Sequence, residues 1–139
     1  MENFNFILPE IFISISIMIL LLVGVFKKNS SNLVYSLAII VLVISLGLIF
    51  NSHSKDEIYF FKDSYKIDQL SIFMKIITII SGIFVLIASF NYIKSEKIFK
   101  IEYGILILCS ILGMLVMISA YDLIVFYIGL ELQSLALYV

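Results

Sequence analysis

The sequence contains four stretches that are apolar over the length needed to cross a bilayer, and a fifth that we expect to be truncated at Val139. A transmembrane helix needs roughly 20 mostly apolar residues. Backbone within lipid must satisfy its own hydrogen bonds, which leaves helices and closed barrels, and these continuous runs lack the alternation of barrel strands. We therefore predict an all-α, polytopic transmembrane helix bundle with about five spans. They form a single membrane domain over 1–139, at about 5–26, 33–50, 70–92, 103–120 and 122–139.

Composition agrees with a membrane protein and excludes several functional classes. Hydrophobic residues make up 63% of the chain and charged residues 14%, whereas soluble domains are about 25% charged. The net charge of −1 excludes a broadly basic nucleic-acid binder. Cys109 is the only cysteine, so the sequence predicts neither a disulfide nor a cysteine metal site. It shows no glycine-rich phosphate loop, nucleophile triad or metal cluster, and we expect no complete active site in this chain alone.

The lysines between the apolar segments predict the orientation. One set of loops carries five lysines, and the loop between the second and third segments carries three, which four acidic residues accompany. By the positive-inside rule, the N-terminus is expected outside. The first set is Lys27, Lys28, Lys94, Lys97 and Lys100, and the second is Lys55, Lys62 and Lys66.

Glu131 is an acid inside the fifth apolar segment. It lies nine residues after Asp122, about 13–14 Å along a helix and near the middle of a ~30 Å core. A glutamate is too short to reach water from there, and ionisable groups at such depth are usually functional. Tyr127, Ser134 and Tyr138 share its helix face by spacing. Two interpretations follow: proton or ion handling, or a protonated carboxyl that clamps helices by hydrogen bonding.

Two further charged residues lie within apolar segments. Lys75 follows Asp68 by seven residues, about 10 Å of helix. It could snorkel to the interface or form a buried ion pair, so it is a second candidate catalytic residue. Glu10 follows Pro9 at the start of the first span, where an acid suits the helix dipole, and we interpret it as structural.

Small residues four apart predict where helices approach closely. Such pairs occur in the third, fourth and fifth segments. They are Thr78 and Gly82, Cys109 and Gly113, and Gly129 with Gln133. These pairs indicate packing rather than chemistry.

Three stretches resemble one known family. They are LPEIF at 8–12, DQLSIFMK at 68–75 and DLIVFYIGLELQSLALYV at 122–139. The chain resembles, over essentially its whole length, the N-terminal part of the antiporter-like subunit N of NADH–quinone oxidoreductase, respiratory complex I, whose mitochondrial counterpart is subunit 2. The last stretch is the most specific.

The resemblance implies a fold, an activity and a site. The family has about 14 helices with inverted repeats, so we expect this chain to be the N-terminal part of a longer subunit. Glu131 matches a family glutamate that pairs with a lysine on a later helix, absent here. The implied role of Glu131 is that of a proton relay in proton pumping driven by electron transfer from NADH to quinone.

The same resemblance implies cofactors, partners and location. No cofactor is expected in this chain, while NADH, FMN, iron–sulfur clusters and quinone are expected elsewhere in the complex. The implied partners are other membrane-arm subunits and the lipid bilayer, in a bacterial cytoplasmic or mitochondrial inner membrane. Two alternatives are a subunit of a multisubunit cation/proton antiporter and a non-transporting membrane scaffold.

Overall fold

The computed structural model describes residues 6–26, 31–51, 58–95 and 101–139. Five helices and a two-stranded hairpin account for most of them. In chain order the elements are α1 (Leu8–Phe26), α2 (Ser31–Asn51), β1 (Ile58–Phe60), β2 (Tyr65–Ile67), α3 (Gln69–Ser95), α4 (Ile101–Ile118) and α5 (Leu123–Tyr138). The predicted start of the first span, at about residue 5, lies outside the described residues. So do Lys27, Lys28, Lys55, Lys97 and Lys100.

The architecture is the predicted membrane helix bundle. α1, α2 and α3 are long and apolar enough to cross a membrane, and α4 and α5 are apolar but shorter. Large apolar side chains also cover the outside of the bundle, as at Met18, Phe84 and Leu123. This is the surface that a protein surrounded by lipid presents, and the chain is a multi-pass membrane protein.

α4 lies at the centre and packs against each of the other four helices. Its residues Leu108 and Leu115 are fully buried, in one core with Ile13 of α1, Leu42 of α2 and Ile79 of α3. The other main helix–helix contacts join α1 to α2 and α2 to α3.

The predicted small residues lie where α4 and α5 cross. A Cβ atom on Gly113 would be 2.8 Å from the carbonyl oxygen of Gly129 and 2.7 Å from the backbone nitrogen of Gln133. Backbone therefore meets backbone at this crossing, as the spacing predicted. Gly82 of α3 similarly packs against the Ile111 side chain of α4.

The segment between α2 and α3, which sequence analysis treated as a loop, contains an antiparallel hairpin. β1 pairs with β2 so that Ile58 faces Ile67. Phe61, Lys62 and Asp63 in the turn all have positive φ angles, 53°, 55° and 64°, a conformation that non-glycine residues adopt at a cost.

The hairpin is hydrogen-bonded to the turn between α4 and α5. The Lys66 amide donates to the Ser119 carbonyl at 2.8 Å, and the Tyr121 amide donates to the Ser64 carbonyl at 3.0 Å. Because Ser119 and Ala120 are engaged with the hairpin, α4 ends at Ile118 and not at about 120 as predicted. We call this the hairpin end of the bundle: the start of α1, the hairpin, the start of α3 and the α4–α5 turn.

Candidate functional site

The first turn of α3 is capped by a reciprocal pair of side chains. The Asp68 carboxylate accepts a hydrogen bond from the Ser71 amide at 2.8 Å, and the Ser71 hydroxyl accepts one from the Asp68 amide at 2.8 Å. The Ser71 amide is the main reason that the pKa of Asp68 lies below its usual value. This cap sets where α3 begins and hence the height of Lys75, one further turn along the helix.

Lys75 forms a buried ion pair with Glu10. The Lys75 Nζ atom lies 2.5 Å from Glu10 Oε1, and the two residues are 2% and 6% exposed. Of the two interpretations left open for Lys75, the structure therefore shows the ion pair and not the snorkelling side chain. Glu10 is the partner, which sequence analysis had interpreted only as a favourable charge at a helix start.

Tyr65 of the hairpin completes this arrangement. Its hydroxyl donates to the same Glu10 oxygen at 2.9 Å and lies 3.4 Å from Lys75 Nζ. Burial and, after it, the negative charge of Glu10 raise the pKa of Tyr65 well above its usual value. The phenol thus stays protonated and remains a donor to the carboxylate.

Two polar atoms in the same region have no hydrogen-bond partner among the described residues. They are Glu10 Oε2 and the hydroxyl oxygen of Ser119. The Ser119 hydroxyl lies near the Tyr65 phenol, but the two make no hydrogen bond of standard geometry. We call Glu10, Tyr65, Lys75 and Ser119 the hairpin-end cluster. Sequence analysis missed Tyr65 and Ser119, although the alternation in Tyr65–Lys66–Ile67 is a strand signal that could have indicated a buried tyrosine.

Glu131 lies on α5, eight residues after its first residue, and is half-buried within this chain. The Tyr127 side chain lies close to the Glu131 carboxyl, as the spacing of four predicted. Ser134, in contrast, donates to the main-chain oxygen of Glu131 at 3.2 Å. Tyr138 is 80% exposed. The predicted polar face therefore exists as a helix face, with Tyr127 close to the carboxyl and Ser134 bonded to the backbone instead.

The two candidate catalytic residues belong to separate places. Lys75 is paired with Glu10 at the hairpin end, and no ion pair of the described residues includes Glu131. Within the described ranges, no group of three or more His, Cys, Asp or Glu side chains is placed to hold a metal ion. The chemistry that these arrangements can support is the uptake, retention and release of protons.

Comparison with known proteins gives one family. The family model described as NADH-ubiquinone oxidoreductase chain 4, amino terminus, matches residues 10–118. The NADH-quinone oxidoreductase subunit N of Pelagibacter ubique is 65% identical over 139 residues, which are 100% of this chain and 30% of the relative. The subunits N of Bartonella bacilliformis and Paramagnetospirillum magneticum are 42% and 37% identical over 133 residues, each 96% of this chain and 27% of the relative.

The chain thus spans less than a third of the length of these curated relatives. The family match nevertheless includes four of the five helices, among them most of α1 and the whole of α3 with Lys75. The chain therefore belongs to the family described by the amino terminus of NADH-ubiquinone oxidoreductase chain 4, and its relatives are NADH-quinone oxidoreductase subunits N.

Proposed function

We propose that this chain is the N-terminal part of a proton-translocating membrane-arm subunit of NADH:quinone oxidoreductase. Family membership and the names of the relatives support this role. The chain then acts with other membrane-arm subunits, while NADH, FMN, iron–sulfur clusters and quinone bind elsewhere in the complex. Because the relatives reported above come from bacteria, we place it in a bacterial cytoplasmic membrane. No observation favours the antiporter or the scaffold alternative.

Glu131 is the residue that carries the proton in this proposal. The observation that supports it most is a carboxyl deep in an apolar helix with a tyrosine side chain beside it. In apolar surroundings a carboxyl is stable when protonated, and an approaching ammonium group stabilises the anion instead. A cation that moves toward and away from Glu131 would therefore unload and reload it, which is the requirement for a pump.

The surroundings of Glu131 leave room for such a partner. Tyr127 on the same face is 60% exposed, and α5 packs mainly on α4 through the opposite, Gly129 side. The face with Tyr127 and Glu131 is accordingly free to contact other parts of the full-length subunit. A lysine on a later helix, as the family resemblance implies, is the partner we expect there.

The test is Glu131→Gln in the complete complex. Glutamine preserves the size and the hydrogen-bonding capacity of the side chain but cannot hold or release a proton. We expect normal assembly, with NADH-driven proton translocation and coupled quinone reduction reduced by about 100-fold, the low end for a positioned proton-transfer group. The matched control is Asp63→Asn, an exposed acid in the hairpin turn. Wild-type proton stoichiometry and turnover in Glu131→Gln would leave Glu131 as a structural contact only.

A further inference from the structure

We propose that the hairpin-end cluster of Glu10, Tyr65, Lys75 and Ser119 is a second, water-containing proton-exchange site, separate from Glu131. The inference rests on the proposed function, since proton translocation is the activity that the site would serve. Two observations support the site: the hydrogen-bonding state of two buried oxygens and the position of the cluster in the bundle.

The two oxygens of the Glu10 carboxylate differ in their hydrogen bonding. Its Oε1 atom accepts from both Lys75 and Tyr65, whereas Oε2 is buried and accepts from no described residue. An ionised carboxylate has about four acceptor positions. Buried oxygens of this kind in native proteins are usually hydrogen-bonded, if not to protein then to ordered water. The Oε2 atom therefore offers acceptor positions that a water molecule can fill.

Ser119 provides the second half of the site. Its carbonyl accepts from the Lys66 amide and its amide donates to the Leu115 carbonyl, so the residue is held in place by its backbone. Its hydroxyl is buried and unpartnered among the described residues and lies near the Tyr65 phenol. A buried water needs two to four polar partners. Glu10 Oε2, the Tyr65 hydroxyl and the Ser119 hydroxyl supply three.

The position of the cluster gives it a route to bulk water. Glu10 lies in the first turn of α1, and Lys75 is six residues after the start of α3, about 9 Å along the helix. Ser119 is in the turn after α4. The exposed end of the same region carries the Lys66–Asp68 ion pair, at 3.6 Å, and the exposed Asp122. Among the described residues, the hairpin turn also carries the exposed Lys62 and Asp63 at this end of the bundle.

The exchange step is a simple proton transfer. A hydronium ion in the site gives one proton to Glu10 Oε2: an O–H bond of the hydronium breaks, its electron pair stays on the water oxygen, and a new O–H bond forms on the carboxyl. The products are a water molecule and a neutral Glu10 beside the Lys75 ammonium. The adjacent positive charge favours the reverse step, which returns the proton to water. The site can therefore accept and release protons with no other reactant.

The rival explanation is a static clamp that joins α1 to α3. The double variant Glu10→Gln with Lys75→Gln separates the two, because the amides can bond to each other and to Tyr65 but carry no exchangeable charge. Replacing both members of a buried ion pair is often tolerated. The matched control is Lys62→Gln with Asp63→Asn, which neutralises two exposed charges in the hairpin turn. All variants are compared in membranes with equal amounts of assembled complex.

If the site exchanges protons, the Glu10/Lys75 double variant should assemble and lose protons translocated per NADH, while the Lys62/Asp63 control keeps the wild-type value. Wild-type stoichiometry in an assembled Glu10/Lys75 variant would overturn the inference. Failure of wild-type complex to translocate protons would overturn the proposed function itself. If the wild type pumps, and proton translocation per NADH falls in Glu131→Gln but not in the Glu10/Lys75 double variant, only the second site is rejected.

A measurement on the unaltered complex does not depend on assembly of a variant. A map of the complete complex that resolves ordered water should show density within hydrogen-bonding distance of both Glu10 Oε2 and the Ser119 hydroxyl. A dry contact there, with another protein group filling the space, would overturn the inference.

Discussion

Lys75 and Glu10 are 65 residues apart in the sequence, yet the Lys75 ammonium lies 2.5 Å from a carboxylate oxygen of Glu10 inside the bundle. The contact joins α3 to α1, and the Tyr65 hydroxyl brings the hairpin to the same oxygen. Through Lys66 and Ser119 the hairpin is in turn bonded to the turn from which α5 begins. One connected set of polar contacts thus relates the start of α1 to the helix that carries Glu131.

Removing one charge of this pair should cost much more than removing both. Lys75→Met leaves the Glu10 carboxylate buried without its cation, which typically destabilises by about 3–5 kcal/mol, whereas neutral replacement of both partners is often close to neutral. Thermal inactivation of the purified complex measures the difference. Equal thermal stability of Lys75→Met and of the double variant Glu10→Gln with Lys75→Gln would show that an unpaired Glu10 carboxylate does not destabilise the bundle.

Tyr65→Phe should lower stability, and the loss should depend on pH. A hydrogen bond to a charged group contributes about 1.5–3 kcal/mol. The folded-state pKa of Tyr65 is raised, so its contribution is fully present below the unfolded pKa of about 10 and is lost as pH rises above that value. The stability gap between wild type and Tyr65→Phe should therefore be constant from neutral pH to about 10 and shrink above it. A gap that widens at alkaline pH contradicts this assignment.

The cap of α3 predicts how stability depends on pH in the acidic range. The folded-state pKa of Asp68 is lowered, chiefly by the Ser71 amide. Its contribution is present above the unfolded pKa of about 3.9 and is lost as pH falls through the lower folded value. Asp68→Ala should cost about 1 kcal/mol at neutral pH. Asp68→Asn is the control, since asparagine caps helices equally well, and it should retain most of the stability while removing this acid dependence.

The bundle could be predicted because the information that specifies it is local. Each helix follows from a run of apolar residues, and Gly113 and Gly129 could be identified from spacing alone. The same holds for Tyr127, which lies close to Glu131 one helical turn away.

What escaped prediction depends on residues distant in sequence or on competing local bonds. Nothing near Lys75 indicates that Glu10 is its partner, since the pairing requires α1 and α3 to lie side by side. Tyr65 is hard to place from the sequence because its strand is only three residues long. Ser134 has the right spacing to reach the Glu131 carboxyl, but its hydroxyl bonds to the preceding turn of backbone instead, as serines in helices often do.

The orientation deduced from lysines remains a prediction that the structure makes easy to test. Lys62 is exposed at the hairpin turn, and Glu102 is exposed at the start of α4, at the opposite end. In a Cys109→Ser background, Lys62→Cys should react with an impermeant maleimide added to intact cells, and Glu102→Cys should react only in inverted vesicles. The opposite pattern would reverse the topology.

The crossing of α4 and α5 predicts a sharp difference between two glycine substitutions. Gly113→Ala places a methyl group 2.7–2.8 Å from backbone atoms of Gln133 and Gly129, and backbone cannot rotate away as a side chain could. The helices must separate, which should cost about 1–3 kcal/mol. Gly47→Ala in α2 is the matched control: its methyl group meets no atom within 4 Å, and alanine favours helix by about 0.5–1 kcal/mol.

Because Glu131 lies between Gly129 and Gln133 on α5, Gly113→Ala should also reduce proton translocation per NADH, measured at equal amounts of assembled complex. Equal stability and pumping in the two variants would show that α5 does not depend on this close contact for its position.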